Sequence, residues 1–173
     1  MTKHKKKTII TVIVAALVVF IGLVVAVLII SNNNSNGGSD GDVRNGNIAS
    51  FSFGRGYGLG GAVGYTIARK DNNKASLKYE YFGFSSDEDS NSEKDIDVKY
   101  LDELADIIKE ENIVKWDGFD KSDDGVLDGS GFSLKIKYDD GKEINAHGYM
   151  KFPDNYNEAE NRLDAFLEKL KDV

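Results

Sequence analysis

Apolar positions follow two regimes along this chain. From Thr8 to Ile30 they are continuous: TIITVIVAALVVFIGLVVAVLII has 23 residues and no charged side chain. As a helix, at ~1.5 Å per residue, the run reaches ~34 Å and can cross a ~30 Å hydrocarbon core. It is longer than the roughly 7–15 apolar residues of a cleaved signal peptide. Ser31-Asn32-Asn33-Asn34 follows it and offers no small-residue cleavage pattern. The run is therefore expected to be an uncleaved signal-anchor helix. Lys3, Lys5, Lys6 and Lys7 precede it, which keeps the tip 1–7 cytoplasmic and the C-terminal part outside. The protein so read is a single-pass cell-membrane protein that meets the lipid bilayer through residues 8–30.

Residues 31–47, SNNNSNGGSDGDVRNGN, are almost devoid of apolar side chains and read as a flexible linker. Such a segment spans ~23 Å root-mean-square as a coil and holds the following domain near the membrane. From Ile48 the apolar positions become periodic. Phe51 and Phe53 alternate with serines. Val63, Tyr65 and Ile67, then Leu77, Tyr79 and Tyr81, flank an Asp71-Asn72-Asn73 turn and predict a hairpin over 62–82. Residues 85–95, SSDEDSNSEKD, read as a polar acidic loop. Leu101, Leu104, Ala105 and Ile108 share one face of a helix that Asn112 stops in a left-handed conformation. A strand-like Ile113–Trp116 and an Asp/Gly-rich loop, 117–130, come next. Phe132, Leu134, Ile136 and Tyr138 then pair through Asp140-Gly141 with Ile144, Ala146, Gly148 and Met150. Pro153 breaks this hairpin. Asn155 with Glu158 reads as a capping box for a last helix, with Ala159, Leu163, Phe166, Leu167 and Leu170 on its apolar face. The expected fold of residues 48–173 is α+β: an antiparallel sheet of four to six strands, two helices packed on one face, in the order β-ββ-α-β-ββ-α.

Charge narrows the partners. The first thirty residues hold four lysines and no acid, so the remainder carries 22 − 4 = 18 Lys+Arg against 29 Asp+Glu, a formal −11. A domain of that charge repels phosphate backbones, and no nucleic acid is expected as a partner. The chain has no cysteine, so neither a disulfide scaffold nor a lipid-modified cysteine is available.

Three motifs carry candidate chemistry. Gly56, Gly58 and Gly61 form a G-x-G-x-x-G, but the segment after it reads as a strand, not the helix that a dinucleotide site needs. The stretch 54–61 reads instead as a mobile loop or a bulged strand end, with Arg55 and Tyr57 at its tip available to a partner. Asp120, Ser122, Asp124, Gly125, Leu127 and Asp128 fit slots 1, 3, 5, 6, 8 and 9 of a calcium loop, although slot 12 is Gly131 instead of glutamate. Calcium is thus the one cofactor candidate, with Asp120, Ser122, Asp124 and Asp128 as ligands. Trp116 is the sole tryptophan and His147 the sole histidine beyond the N-terminal tip. Trp116 suits the core beside the first helix or, if exposed, a ligand platform. His147 lies on the polar side of its strand with Asn145 and Tyr149. It has no cysteine or second histidine for a nucleophilic or zinc site, and pairing it with Ser130 lacks an orienting motif.

Trp116-Asp-Gly-Phe119, Val126-Leu-Asp-Gly129 before Phe132-Ser-Leu, then Gly148 and Phe152-Pro-Asp-Asn-Tyr156, resemble a pattern of small exported or membrane-anchored domains of Gram-positive bacteria with no assigned activity. The resemblance spans residues 48–173 and implies an envelope location and an α+β fold. It carries over no catalytic residue. The functional expectation is a membrane-tethered, non-enzymatic module that binds an envelope protein or polymer. The loops 54–61 and 117–130 are its contact surfaces, and Arg55, Tyr57, Trp116 and His147 its candidate ligand-binding residues. Alternatives are a calcium-dependent structural or adhesive module and a small cell-envelope hydrolase.

Overall fold

Period-2 alternation dominates the C-terminal part, and a sheet is what it builds. A computed structural model describes residues 46–83, 90–123, 125–126 and 128–173, all within one compact unit, Asp42–Val173. The expected anchor 8–30, with the basic tip and most of the linker, lies outside the described residues. No helix among the described residues is long and apolar enough to cross a membrane.

The described strands are β1 (Ile48–Tyr57), β2 (Ala62–Arg69), β3 (Lys74–Phe82), β4 (Ser90–Asp97), β5 (Asp120–Ser122), β6 (Ser130–Tyr138) and β7 (Glu143–Tyr149). Helix α1 (Lys99–Glu110) follows β4, and α2 (Tyr156–Lys171) closes the chain. The strands form one sheet in the order β4-β3-β2-β1-β6-β7-β5. This corrects the expected architecture. The sheet has seven strands and is mixed, because β5 pairs parallel to β7 while the other pairs are antiparallel.

Each departure has a local cause. The glycine cluster does not open a loop after Phe53: Gly54, Arg55 and Gly56 continue β1, hydrogen-bonded on both sides by β2 and β6. The turn comes only at Gly58–Gly60, and Gly61 takes φ 95° where a Cβ would lie 2.2 Å from the Phe82 carbonyl. The acidic loop expected over 85–95 is in part β4, an edge strand whose polar side chains suit its open side. Ile96 is its buried apolar residue, facing Ala75. Ile113–Trp116 is a 3-10 turn, not a strand, entered through Asn112 in the left-handed conformation (φ 53°) foreseen for it.

Phe51, Phe53, Tyr65, Ile67, Leu77, Phe132, Leu134, Ile136 and Ile144 form the buried face of the sheet. Leu101, Leu104 and Ile108 of α1 and Leu163, Phe166, Leu167 and Leu170 of α2 join the same core. Each such burial contributes about 1.5–3 kcal/mol. The end of α2 is held by β4: Lys94 Nζ donates to the backbone oxygens of Lys171 (2.7 Å) and Val173 (2.6 Å), a cation placed at the negative end of the helix.

Asn155 departs from its expected role. It takes φ 58° and makes no side-chain cap to α2. Its amide donates to the Glu111 carbonyl, and its oxygen accepts from Trp116 Nε1 at 3.3 Å. The residue ties the end of α1 to the start of α2, a contact between distant segments that no capping rule anticipates.

Candidate functional site

Where β7 ends, the chain turns back on itself. Met150 adopts φ 55°, an uncommon conformation for a residue with a side chain. Phe152 then folds over the apolar face, stacked on Phe132 (ring centroids 5.9 Å apart, planes at 26°) and close to Tyr156 (4.6 Å). Trp116 approaches from the other side, 5.7 Å from Phe132 and 5.5 Å from Tyr156. Phe119 completes the cluster 6.1 Å from Phe132. Between these elements lies a cleft of about 270 Å³, lined by Trp116, Phe119, Phe152, Lys115 and Lys121 together with Pro153, Asp154 and Asn155.

Backbone bonds fix the walls. Phe119 N–H donates to the Trp116 carbonyl (2.8 Å), and His147 N–H donates to the Phe119 carbonyl (2.7 Å). Gly118, at φ 76°, donates to the Asn145 carbonyl (2.9 Å), while Asp117 accepts the Asn145 N–H at 3.0 Å. Gly148 has no room for a side chain: a Cβ there would lie 2.2 Å from the Lys151 carbonyl and 2.5 Å from the Phe132 ring. The aromatic floor is therefore laid directly on backbone.

The parallel pairing of β5 with β7 sorts the candidate calcium loop between the two faces of the sheet. Lys121 pairs with Gly148, which pairs with Phe132, so Lys121 is on the cleft side. Asp120 pairs with His147 and Ser122 with Tyr149, which puts both on the opposite side. Asp120 Oδ1 is 3.4 Å from His147 Nδ1. Beyond β5, Asp123 accepts the Gly125 N–H (3.2 Å) and lies 3.4 Å from Lys151 Nζ. Asp128 lies against Gly58, where a Cβ would clash with its carboxylate. Asp124 is outside the described residues. Among the described residues there is no group of three or more His, Asp or Glu that could hold a metal ion.

The remaining candidates separate as well. Trp116 is 1% exposed, a core residue with one edge on the cleft. Arg55 is not at a loop tip but 8% exposed on β1, hydrogen-bonded to Asp164 and 3.3 Å from Glu160 of α2. Burial alone would lower its pKa; the Asp164 charge, with Tyr57 and Glu160, outweighs that and raises it. Tyr57, at the end of β1, is 48% exposed. His147 faces away from the cleft with Asp120.

Of the two segments named from the sequence, the turn Gly58–Gly60 and the stretch just before β6 meet at one end of the sheet. Tyr57 pairs with Ser130, and Ser130 accepts the Met150 N–H at 2.9 Å. Tyr149 ties the second loop down, its hydroxyl donating to the Val126 carbonyl (3.0 Å) and accepting from Gly129 N–H (2.9 Å). Sequence reasoning missed Phe152, Phe119, Lys121 and Lys115. The one signal for Phe152 was an aromatic before the sole proline, directly after a confident strand. Lys121 carried none until the β5 register was known.

No family model matches the chain, and a search of curated proteins found none that matches it.

Proposed function

We propose that this protein is a membrane-tethered, extracytoplasmic binding module, and that it engages an envelope protein or polymer with the end of the sheet that carries Tyr57, Met150 and the aromatic cleft. The observation that carries this reading is the gathering of exposed apolar side chains at that end. Tyr57 (48% exposed), Met150 (37%) and Phe152 (37%) all sit there, beside a cleft lined by two lysines. Single exposed apolar residues are ordinary; a cluster of Tyr, Met and Phe is the composition of a contact surface. The anchor and linker read from the sequence would hold this surface within a few tens of ångströms of the bilayer.

Site-directed photo-crosslinking in intact cells tests the reading. A benzophenone side chain at position 152 or 57 is expected to give discrete adducts to an envelope component. The same group at Lys142, in the β6–β7 turn at the other end of the sheet, is expected to give none. Equal labelling from all three positions would refute it.

A further inference from the structure

Resting on the binding reading above, we infer that the cleft takes an extended acidic segment of a partner protein, seating one apolar side chain between Trp116, Phe119 and Phe152 with a neighbouring carboxylate against Lys115 and Lys121. The size of the cleft limits its occupant. At about 270 Å³ it falls below the roughly 300–1,000 Å³ of pockets that enclose whole small ligands. It has room for one side chain, the anchor of a larger contact.

Charge decides what accompanies that anchor. Residues 31–173 carry a formal −11, yet two lysines line the cleft. Among the described residues neither has a carboxylate at ion-pair distance; Lys121 Nζ instead stands 5.2 Å over the Phe119 ring. Asp154 is the single acid in the lining. An approaching acid therefore meets cations whose charge is not already neutralised, while the surrounding domain repels it. That contrast selects position more than affinity.

The aromatic arrangement favours a side chain over a sugar ring. A sugar platform presents a broad open ring face. Here Trp116 is buried between Phe132 and Tyr156, and Phe152 commits one face to Phe132. What remains open to an occupant is the part of these rings not packed on Phe132 or Tyr156. Met150 and Tyr57 are exposed at the same end of the sheet, both beside Ser130. Met150 is an adaptable contact residue, able to repack around different neighbours.

Two arms test the inference on the full chain in neutral-lipid nanodiscs. In the first, a phage-displayed library of random dodecapeptides is panned against the protein and against Lys115→Glu/Lys121→Glu. The sole tryptophan, at the cleft, then reports binding of synthetic copies by fluorescence. Enriched peptides are expected to carry an aromatic or large aliphatic residue within two positions of Asp or Glu. Their Kd should weaken at least tenfold in the double variant and in Phe152→Ala, and stay within twofold in Lys142→Glu. Both lysines are on the surface, so the double variant tests binding even if Phe152→Ala disturbs folding. Enrichment of basic peptides, equal enrichment on the double variant, or no enrichment would overturn the inference. In the second arm a protein-free acidic wall polymer is titrated. Saturable perturbation of Trp116 by the polymer, with none by peptides, would sink the peptide inference and leave the binding reading standing. Silence in both arms would sink both.

Discussion

Arg55 offers the sharpest test of how the core is held together. It places a guanidinium inside the apolar layer between β1 and α2. Its side chain is 9% exposed, against 23% for Glu160 and 31% for Asp164. At the 3.3 Å separation from Glu160, an effective dielectric near 20 gives an attraction of about 5 kcal/mol. Desolvation takes back most of it, and Arg55 Nε and Asp164 Oδ1 are both buried without a partner, at about 1–3 kcal/mol each. The net value of the network is therefore small, while the cost of breaking it is not. Arg55→Met keeps the packing of the stem and strands two carboxylates. Because both are partly solvated, the expected loss is about 2–3 kcal/mol, below the ~3–5 kcal/mol of a fully buried pair. Replacing the whole network with Arg55→Met, Glu160→Gln and Asp164→Leu should return to within about 1 kcal/mol of the parent. Urea unfolding of Asp42–Val173, followed by Trp116 fluorescence, measures both. A loss under 1 kcal/mol in the single variant, or a triple variant no more stable than the single one, would refute the reasoning.

Three further outcomes follow from the geometry. Gly148→Ala must move either the Lys151 carbonyl or the Phe132 ring, and is expected to cost about 1–3 kcal/mol with a changed Trp116 emission; a melt unchanged from the parent would contradict the close approach. Asn155→Ala loses both bonds to Trp116 and Glu111 and keeps a strained φ, so its thermal midpoint should fall further than that of Asn155→Gly, which relieves the strain by about 1 kcal/mol. The third concerns acid. Burial pushes Glu143 upward, but the hydrogen bond and charge of Lys135, with Asn145 and Lys137, hold it below its ordinary value. Glu168 is likewise pushed up by burial and brought below its ordinary value by Lys171 and Tyr65. Groups depressed in the folded state stabilise it above their unfolded pKa, near 4.5, and that contribution is lost as pH falls through the folded values. Urea midpoints measured from pH 6 to 3 should therefore decline below about pH 4.5, with a shallower decline in Glu143→Gln; parallel curves would show that the Lys135 pairing contributes nothing.

Some of this protein is written in short-range pattern. The β6–β7 hairpin was legible because Phe132 through Tyr138 alternate without interruption and Asp140-Gly141 supplies the positive φ of a tight turn. Both helices were legible from the spacing of their leucines, and the left-handed Asn112 from its place after the last apolar residue of α1. The membrane reading of 8–30 rests on length and lack of charge, and those positions lie outside the described residues. In each case a few adjacent residues hold all the information.

The rest depends on partners far away in the chain. β4 is a strand because β3 supplies its hydrogen bonds, although Ser90–Asp97 holds one buried apolar residue. Gly54 and Gly56 are strand rather than loop because β2 and β6 clasp them from both sides. Arg55 thereby becomes an interior ion pair instead of an exposed contact. β5 is three residues long and exposed, and only its parallel register with β7 sends Lys121 to one face and Asp120 to the other. The cleft has the same origin. Phe119 and Phe152 are 33 positions apart and both pack on Phe132, so their meeting is a property of the packed sheet. Local sequence determines which segments can be helix, strand or membrane span; pairing and burial decide which side chains are left at the surface together, and so where this protein can bind.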